Sequence, residues 1–436
     1  MFVLEFYRSY RFRSFKKPTE AIMKNPQIPA SALQSAAADN PPEKQIAQNK
    51  SARDDHNSRT TNQNITIISH LRQRLDWSLV ATILAIKALL IVFAGQIYQV
   101  LSGKPIETWH GWLDIWNRWD SLRHIRLADI DYSGVGSDKA DIVGFPFYPW
   151  LVRLFAFVFQ DTLVSAFIVS GLATIAAGLL LHRLVRADDS DSVARNSVWF
   201  LLIFPTSHFL HINYNESLFI ALTLGCFLAA RQERWSLAAI LGALVCLTRL
   251  NGLVIIPALL VEMLLQYRAS RRLQPQWLWI MIVPFGFGIY LLLNQYITGD
   301  ALAFITVGRE NFQKSFSMPW NGIEGVYNAM WSPEPPHAQM VGVQEFVFIV
   351  LGGVCTVASA FLLRPSFTVW MAGNWLLITS VGFIISVPRY TLVMFPIFIL
   401  FAQLAERRFW HSVITVWSLL LLAFFVGEFI QGHWAF

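Results

Sequence analysis

Charge is what this chain has least of: only 14% of its 436 residues are Asp, Glu, Lys or Arg. Soluble domains carry about 25%, so the shortage argues against a freely soluble globular protein and for the membrane class. Cysteine is nearly missing as well. Cys226, Cys246 and Cys355 all fall in apolar runs, and none has CxxC spacing. An odd, unspaced set argues against a disulfide framework and a cysteine zinc site; the three read as buried thiols that pack as small apolar groups. His208 and His211 share one helical face, but two histidines without a third ligand make a poor metal site. No long apolar core followed by small residues marks a secretory signal peptide. Internal repeats are absent, and nothing resembles the paired broken helices of secondary transporters.

Hydrophobic residues make up 55% of the chain, with 34 Phe and 17 Trp, and mean hydropathy is +0.45. Such aromatic content suits side chains at bilayer interfaces. The net charge of +6 is uneven. Residues 1–76 hold 12 Lys and Arg against 7 Asp and Glu, so the rest of the chain is close to neutral. That pattern suggests a basic tail near anionic lipid and gives little support to nucleic-acid binding. Residues 18–70 are rich in Ala, Ser, Asn, Gln, Pro and Lys without periodicity, and 1–75 are expected to form a disordered cytoplasmic tail. Residues 1–17 interleave aromatics with Arg and Lys, as a membrane-surface segment or an untranslated stretch before Met23 would.

The run 77–101 has Lys87 as its lone charge and is long enough to span a bilayer. Further apolar runs lie near 162–184, 196–212, 215–231, 235–248, 251–266, 277–297, 345–363, 367–387, 389–405 and 410–430. They predict an all-α, polytopic helical bundle of about eleven spans over residues 76–436, with 145–159 as an extra interfacial helix. With the tail inside, the loops 182–195, 231–234, 267–272, 363–365 and 406–408 face inward, and every one carries Arg, as the positive-inside rule asks. The outer face then receives the loops 102–144 and 298–344. The second is long enough to serve as a lid or substrate wall.

Five polar clusters fall near that outer face. They are Trp116-x-x-Trp119-Asp120 with His124 and Arg126; Phe145-Pro146-Phe147-Tyr148-Pro149; Phe204-Pro205-Thr206-Ser207 leading to Tyr214-Asn215-Glu216-Ser217; Thr248-Arg249-Leu250-Asn251-Gly252; and Pro388-Arg389-Tyr390. In this order they resemble the GPI mannosyltransferase II (PIG-V) family and, more broadly, the GT-C membrane glycosyltransferases. Asp120 resembles the family's acidic loop motif, the stretch from Phe204 to Arg249 its "FP…YxESLF…LTR" signature, and Pro388-Arg389-Tyr390 its late "PRY" element. The chain departs at Asn215, where the family has Thr, and at Leu250-Asn251, where Pro-x follows the arginine. The short body and long tail favour a bacterial homologue.

The resemblance implies transfer, with inversion, of a hexose, typically mannose, from a polyprenyl- or dolichyl-phosphate sugar to a lipid- or glycan-linked acceptor on the outer or lumenal face. The compartment would be the plasma membrane of a bacterium or the endoplasmic reticulum of a eukaryote. Such chemistry needs a carboxylate to take the acceptor's proton and positive groups for the departing phosphate, and it passes through an oxocarbenium-like state. No nucleotide leaves, so it implies no metal or other cofactor. Asp120 is the expected general base, with Asp114 its rival. Trp119, His124, Tyr214, Glu216, Arg249, Arg389 and Tyr390 are the expected substrate contacts, the two arginines because a guanidinium fork suits phosphate. The bland alternatives are a solvated Asp120 paired with Arg118 or Arg123, arginines snorkelling to headgroups, a Glu216 that merely complements a helix dipole, and Tyr148 and Tyr390 as interface anchors. A flippase or secondary transporter is the competing class. It would need ionisable residues near the bilayer midplane, where only Lys87, Glu262 and a few others lie. A scaffold without chemistry would leave Asp120 freely replaceable.

Overall fold

A computed structural model describes residues 76–134, 136–334 and 338–434; the expected tail, 1–75, lies outside them. Every regular element among the described residues is a helix. Six are long and apolar enough to cross a membrane: Trp77–Ser102, Thr162–Arg186, Leu250–Ser270, Pro275–Thr298, Ala338–Leu362 and Arg408–Ile430. The other apolar runs become shorter helices, among them Asp191–Ile203, Glu216–Arg231, Trp235–Thr248 and Pro365–Thr379.

Proline explains two of the differences from the expected spans. The run 196–212 stops as Asp191–Ile203, just before Phe204-Pro205, and resumes as the single turn His208–His211. The run 389–405 divides into Val387–Leu392 and Pro396–Leu404. Proline has no N–H to donate, and its ring clashes with the preceding turn. The carbonyls such breaks release must find partners where no water is available. Side chains supply them: Lys87 Nζ donates to the His211 carbonyl at 2.6 Å, Ser170 Oγ to that of Tyr214 at 3.1 Å, Thr206 Oγ1 to that of Pro388 at 2.9 Å, and Trp370 Nε1 to that of Val393 at 3.2 Å. Lys87 is thus tied to backbone.

Small residues bring the helices close. The buried face of Thr162–Arg186 carries Ser165, Ala166, Ser170, Ala173, Thr174, Ala177 and Gly178, the kind of stripe that lets membrane helices approach. A Cβ on Gly286 would lie 1.8 Å from the Ala243 carbonyl oxygen, so the Val283–Thr298 and Trp235–Thr248 helices touch backbone to backbone. Tyr148, expected as an interface anchor, is fully buried instead and bonds Ser170 Oγ at 3.0 Å. It follows Pro146 at the start of a helix that packs against Thr162–Arg186, so its ring points into the bundle.

Polar contacts collect the arginine-bearing turns at one end. Arg231 grips Asp188 with two bonds of 2.6 Å, Arg195 Nε meets Asp191 at 2.9 Å, and Gln403 reaches Asp189 at 3.3 Å. Arg364 holds the fully buried Glu262 at 2.8 and 2.7 Å, with Ser366 as a third donor. The helices Thr162–Arg186, Glu216–Arg231 and Pro396–Leu404 all reach this end. Their opposite ends reach the five clusters.

Candidate active site

The segment 204–217 is the hub. Thr206 binds the Pro388 carbonyl, and Asn213 Nδ2 reaches Asn117 Oδ1 at 3.3 Å. Tyr214 donates to the Arg118 carbonyl at 2.9 Å. Glu216 then opens the Glu216–Arg231 helix, where the helix dipole favours an anion.

Four charged side chains form a chain across the site. Arg389 Nη1 donates to Asp120 Oδ2 at 2.6 Å, and Arg389 Nε to Glu216 Oε1 at 2.5 Å. Arg249 Nη1 donates to the same Glu216 oxygen and to Asn215 Oδ1 at 3.0 Å. Glu216 is fully buried, both arginines nearly so, while 34% of the Asp120 side chain stays exposed. The arginines therefore do not snorkel to headgroups. Aromatic faces cover them: Arg389 lies 4.6 Å from the Tyr214 ring and 5.0 Å from Phe209, and Arg249 lies 5.3 Å from Tyr390. A buried ionic cluster of this kind is costly to desolvate and is tolerated only when well bonded. Yet Glu216 Oε2 has no hydrogen-bond partner among the described residues, and a buried acceptor left unpaired calls for a donor from elsewhere.

Asp120 begins the Asp120–Ile130 helix, directly after Trp119, whose φ of 54° is unusual for a non-glycine residue. Arg123 Nη1, one turn along, donates to Asp120 Oδ1 at 3.0 Å. Burial opposes ionisation of this carboxyl, but the Arg389 and Arg123 guanidiniums outweigh it and hold the group well below the usual carboxylate range. His124 shares the helix face. It is buried edge-on to Tyr148 at 5.1 Å and Tyr214 at 6.0 Å, with neither ring nitrogen hydrogen-bonded among the described residues. Burial lowers its pKa to about 4, so the ring is neutral at physiological pH. The rival, Asp114, is exposed at the end of the one-turn helix Gly111–Asp114.

All the expected contacts except Trp119 converge here. Trp119 is 40% exposed and meets Trp434 edge-on at 5.0 Å, which seats the C-terminal segment beside the first loop. Sequence reasoning missed several neighbours. Lys314, from the long loop, sits with Nζ 5.8 Å from the Tyr390 ring. Phe312 of the same loop covers Arg123 at 5.0 Å. Asp141 holds Arg126 at 2.5 and 2.7 Å and approaches Arg123 at 3.5 Å. Asn215, named in the third cluster but not as a contact, accepts from Arg249, and Glu345 accepts from the backbone just before Arg389. The Arg123 pairing with Asp120 was expected, as the bland alternative for that carboxylate, and has formed one helical turn along; Lys314 had no signal.

Fold and site together define a multi-pass, all-helical membrane protein with an acid–arginine cluster at one end of its bundle. Residues 139–292, about a third of the chain, match the family described as dolichyl-phosphate-mannose-protein mannosyltransferase. That stretch includes Tyr214, Glu216 and Arg249. No curated protein matches the chain. Two solved structures are similar to it. ArnT from Cupriavidus metallidurans, bound to undecaprenyl phosphate, aligns with a TM-score of 0.46 and 15% identity over 75% of this chain and 60% of its own. The oligosaccharyltransferase from Archaeoglobus fulgidus, in complex with Zn and sulfate, aligns with a TM-score of 0.42 and 12% identity over 80% and 53%. The chain thus spans little more than half the length of either protein.

Proposed function

We propose that this protein is a membrane glycosyltransferase. It moves a hexose, with mannose the leading choice, from a polyprenyl-phosphate sugar to a hydroxyl of a lipid- or glycan-linked acceptor. The active end faces outward or toward a lumen, and residues 76–436 form the catalytic body. The observation that carries this reading is the cluster itself, in which a partly exposed carboxylate is bonded to a buried arginine that leads to a second. The family match over residues 139–292 supports the same donor class.

Charge favours an anionic substrate. Counted whole, Arg249, Arg389, Lys314, Arg123 and Arg126 exceed Asp120, Glu216, Asp141 and Glu345 by one. A donor phosphate would restore the balance, and guanidiniums bind phosphate in bidentate fashion. In the reaction the acceptor oxygen forms a bond to the anomeric carbon from the face opposite the leaving group. Its proton passes to the Asp120 carboxylate, and the anomeric C–O bond breaks with its electron pair leaving on the lipid phosphate. Arg389 and Arg249 stabilise that developing charge in a site already organised to receive it. Glu216 bridges the two arginines through Oε1, and its Oε2, without a partner among the described residues, is the acceptor we assign to a sugar hydroxyl. The transporter reading gains nothing, because Lys87 and Glu262 are both committed to structural bonds.

Membranes carrying the wild type, supplied with radiolabelled polyprenyl-phosphate mannose, are expected to transfer the sugar. Asp120→Asn at equal protein level should lose at least about 100-fold, the usual contribution of a general base. Equal transfer by both would remove Asp120 from that role, and no transfer by wild type from mannose or other hexose donors would overturn the activity.

A further inference from the structure

Glu345 is fully buried at the start of the Gln344–Leu362 helix, where the long loop 298–344 rejoins the bundle. Its two carboxylate oxygens are divided between two consecutive backbone donors. Ser386 N–H meets Oε1 at 2.7 Å and Val387 N–H meets Oε2 at 2.6 Å. These N–H groups open the short helix Val387–Leu392, which carries Arg389. A six-residue helix has little stability of its own, and Ser386 before it adopts φ 72°, a left-handed conformation that strains a non-glycine residue. Its start therefore needs an outside anchor. The Thr206 bond to the Pro388 carbonyl is a second tie to the same turn.

Resting on the glycosyltransferase reading, we propose that Glu345 is a positioning residue that fixes Arg389 for the donor phosphate. Asp120 and Glu216 pull the guanidinium from one side, while Glu345 fixes the backbone that carries it. The long loop also bonds the stretch of chain before Arg389 directly, Ser317 N–H to the Ser380 carbonyl at 3.1 Å and Gly382 N–H to that of Ser315 at 2.9 Å, so Glu345 is one of several ties between loop and arginine.

Glu345→Gln keeps the shape but leaves one carbonyl oxygen for two N–H groups and turns an amide donor against the other. The test is a double-mutant cycle of Glu345→Gln with Arg389→Lys, in full-length protein purified in detergent. It is read by sugar transfer with donor and acceptor varied separately, and by the thermal shift that polyprenyl phosphate induces. Glu345→Gln is expected to raise the donor KM roughly tenfold, leave the acceptor KM unchanged and shrink the thermal shift. In the Arg389→Lys background it should cost little more, since both changes act on one interaction. Additive losses, or a loss confined to the acceptor, would overturn the positioning role. A Glu345→Gln protein with a lowered melting temperature but an unchanged donor KM would make Glu345 purely structural and overturn it too. A wild type that neither transfers sugar nor is stabilised by polyprenyl phosphate would instead sink the activity, and this role with it.

Discussion

At the scale of residues, two arginines share Asp120, and this bears on how a base can work there. A carboxylate held by Arg389 and Arg123 stays ionised far into acid, so it is ready to accept a proton at neutral pH, but its affinity for that proton is low. A phosphate that draws Arg389 toward itself would loosen the 2.6 Å bond and make Asp120 more basic once the donor is in place. The sign of the pH effect follows. A depressed pKa means ionisation is lost only as pH falls through the depressed value, below the ordinary carboxylate range of about 4. The kcat/KM profile of the wild type should therefore be flat from roughly pH 7 to 5, because the free enzyme's base is already deprotonated throughout. His124, neutral above about 4, adds no limb in that window. A steep acid limb inside it would show that a different group takes the proton. Much of this site was legible in sequence as polar residues at the ends of apolar runs. What could not be read was the pairing: Asp120 and Arg389 stand 269 positions apart, and no periodicity links them.

At the scale of elements, the helices are held by close backbone approach as much as by large side chains. Gly286 is the sharpest case, facing the Ala243 carbonyl with no room for a methyl. Gly286→Ala must push the Val283–Thr298 helix off Trp235–Thr248, with an overpacking cost of about 1–3 kcal/mol. The detergent melting temperature should fall while the donor KM holds, since Gly286 lies within the bundle. An unchanged melting temperature would mean the two helices slide apart freely. The helical bundle was foreseeable from the apolar runs, because length and hydropathy decide what can cross a bilayer. The breaks were less so. Pro205 and Pro396 lie inside runs that read as continuous on hydropathy alone, and hydropathy does not register the loss of a backbone donor. Nor did it show Tyr148 turning inward, which depends on Ser170 in another helix.

At the scale of the whole molecule, the charges are sorted by end. Arg231, Arg195 and Arg364 are locked to acids beside the turns expected inside, and the Asp120–Arg389–Glu216–Arg249 chain lies at the other pole. The Trp119–Trp434 contact brings the last described residues to that second pole. If one pole is outer and the other inner, their surfaces must differ in access to an impermeant thiol reagent. The native thiols give little background, since Cys226, Cys246 and Cys355 are all buried. Gln313 lies exposed on the long loop beside Lys314, and Arg272 lies exposed at the basic turn after Ile255–Ser270. In intact cells Gln313→Cys should label at once, and Arg272→Cys only after permeabilisation. The reverse result would turn the active end toward the cytoplasm and require a donor presented on that side. Labelling of both in intact cells would break the sorting of charge by pole on which the orientation rests.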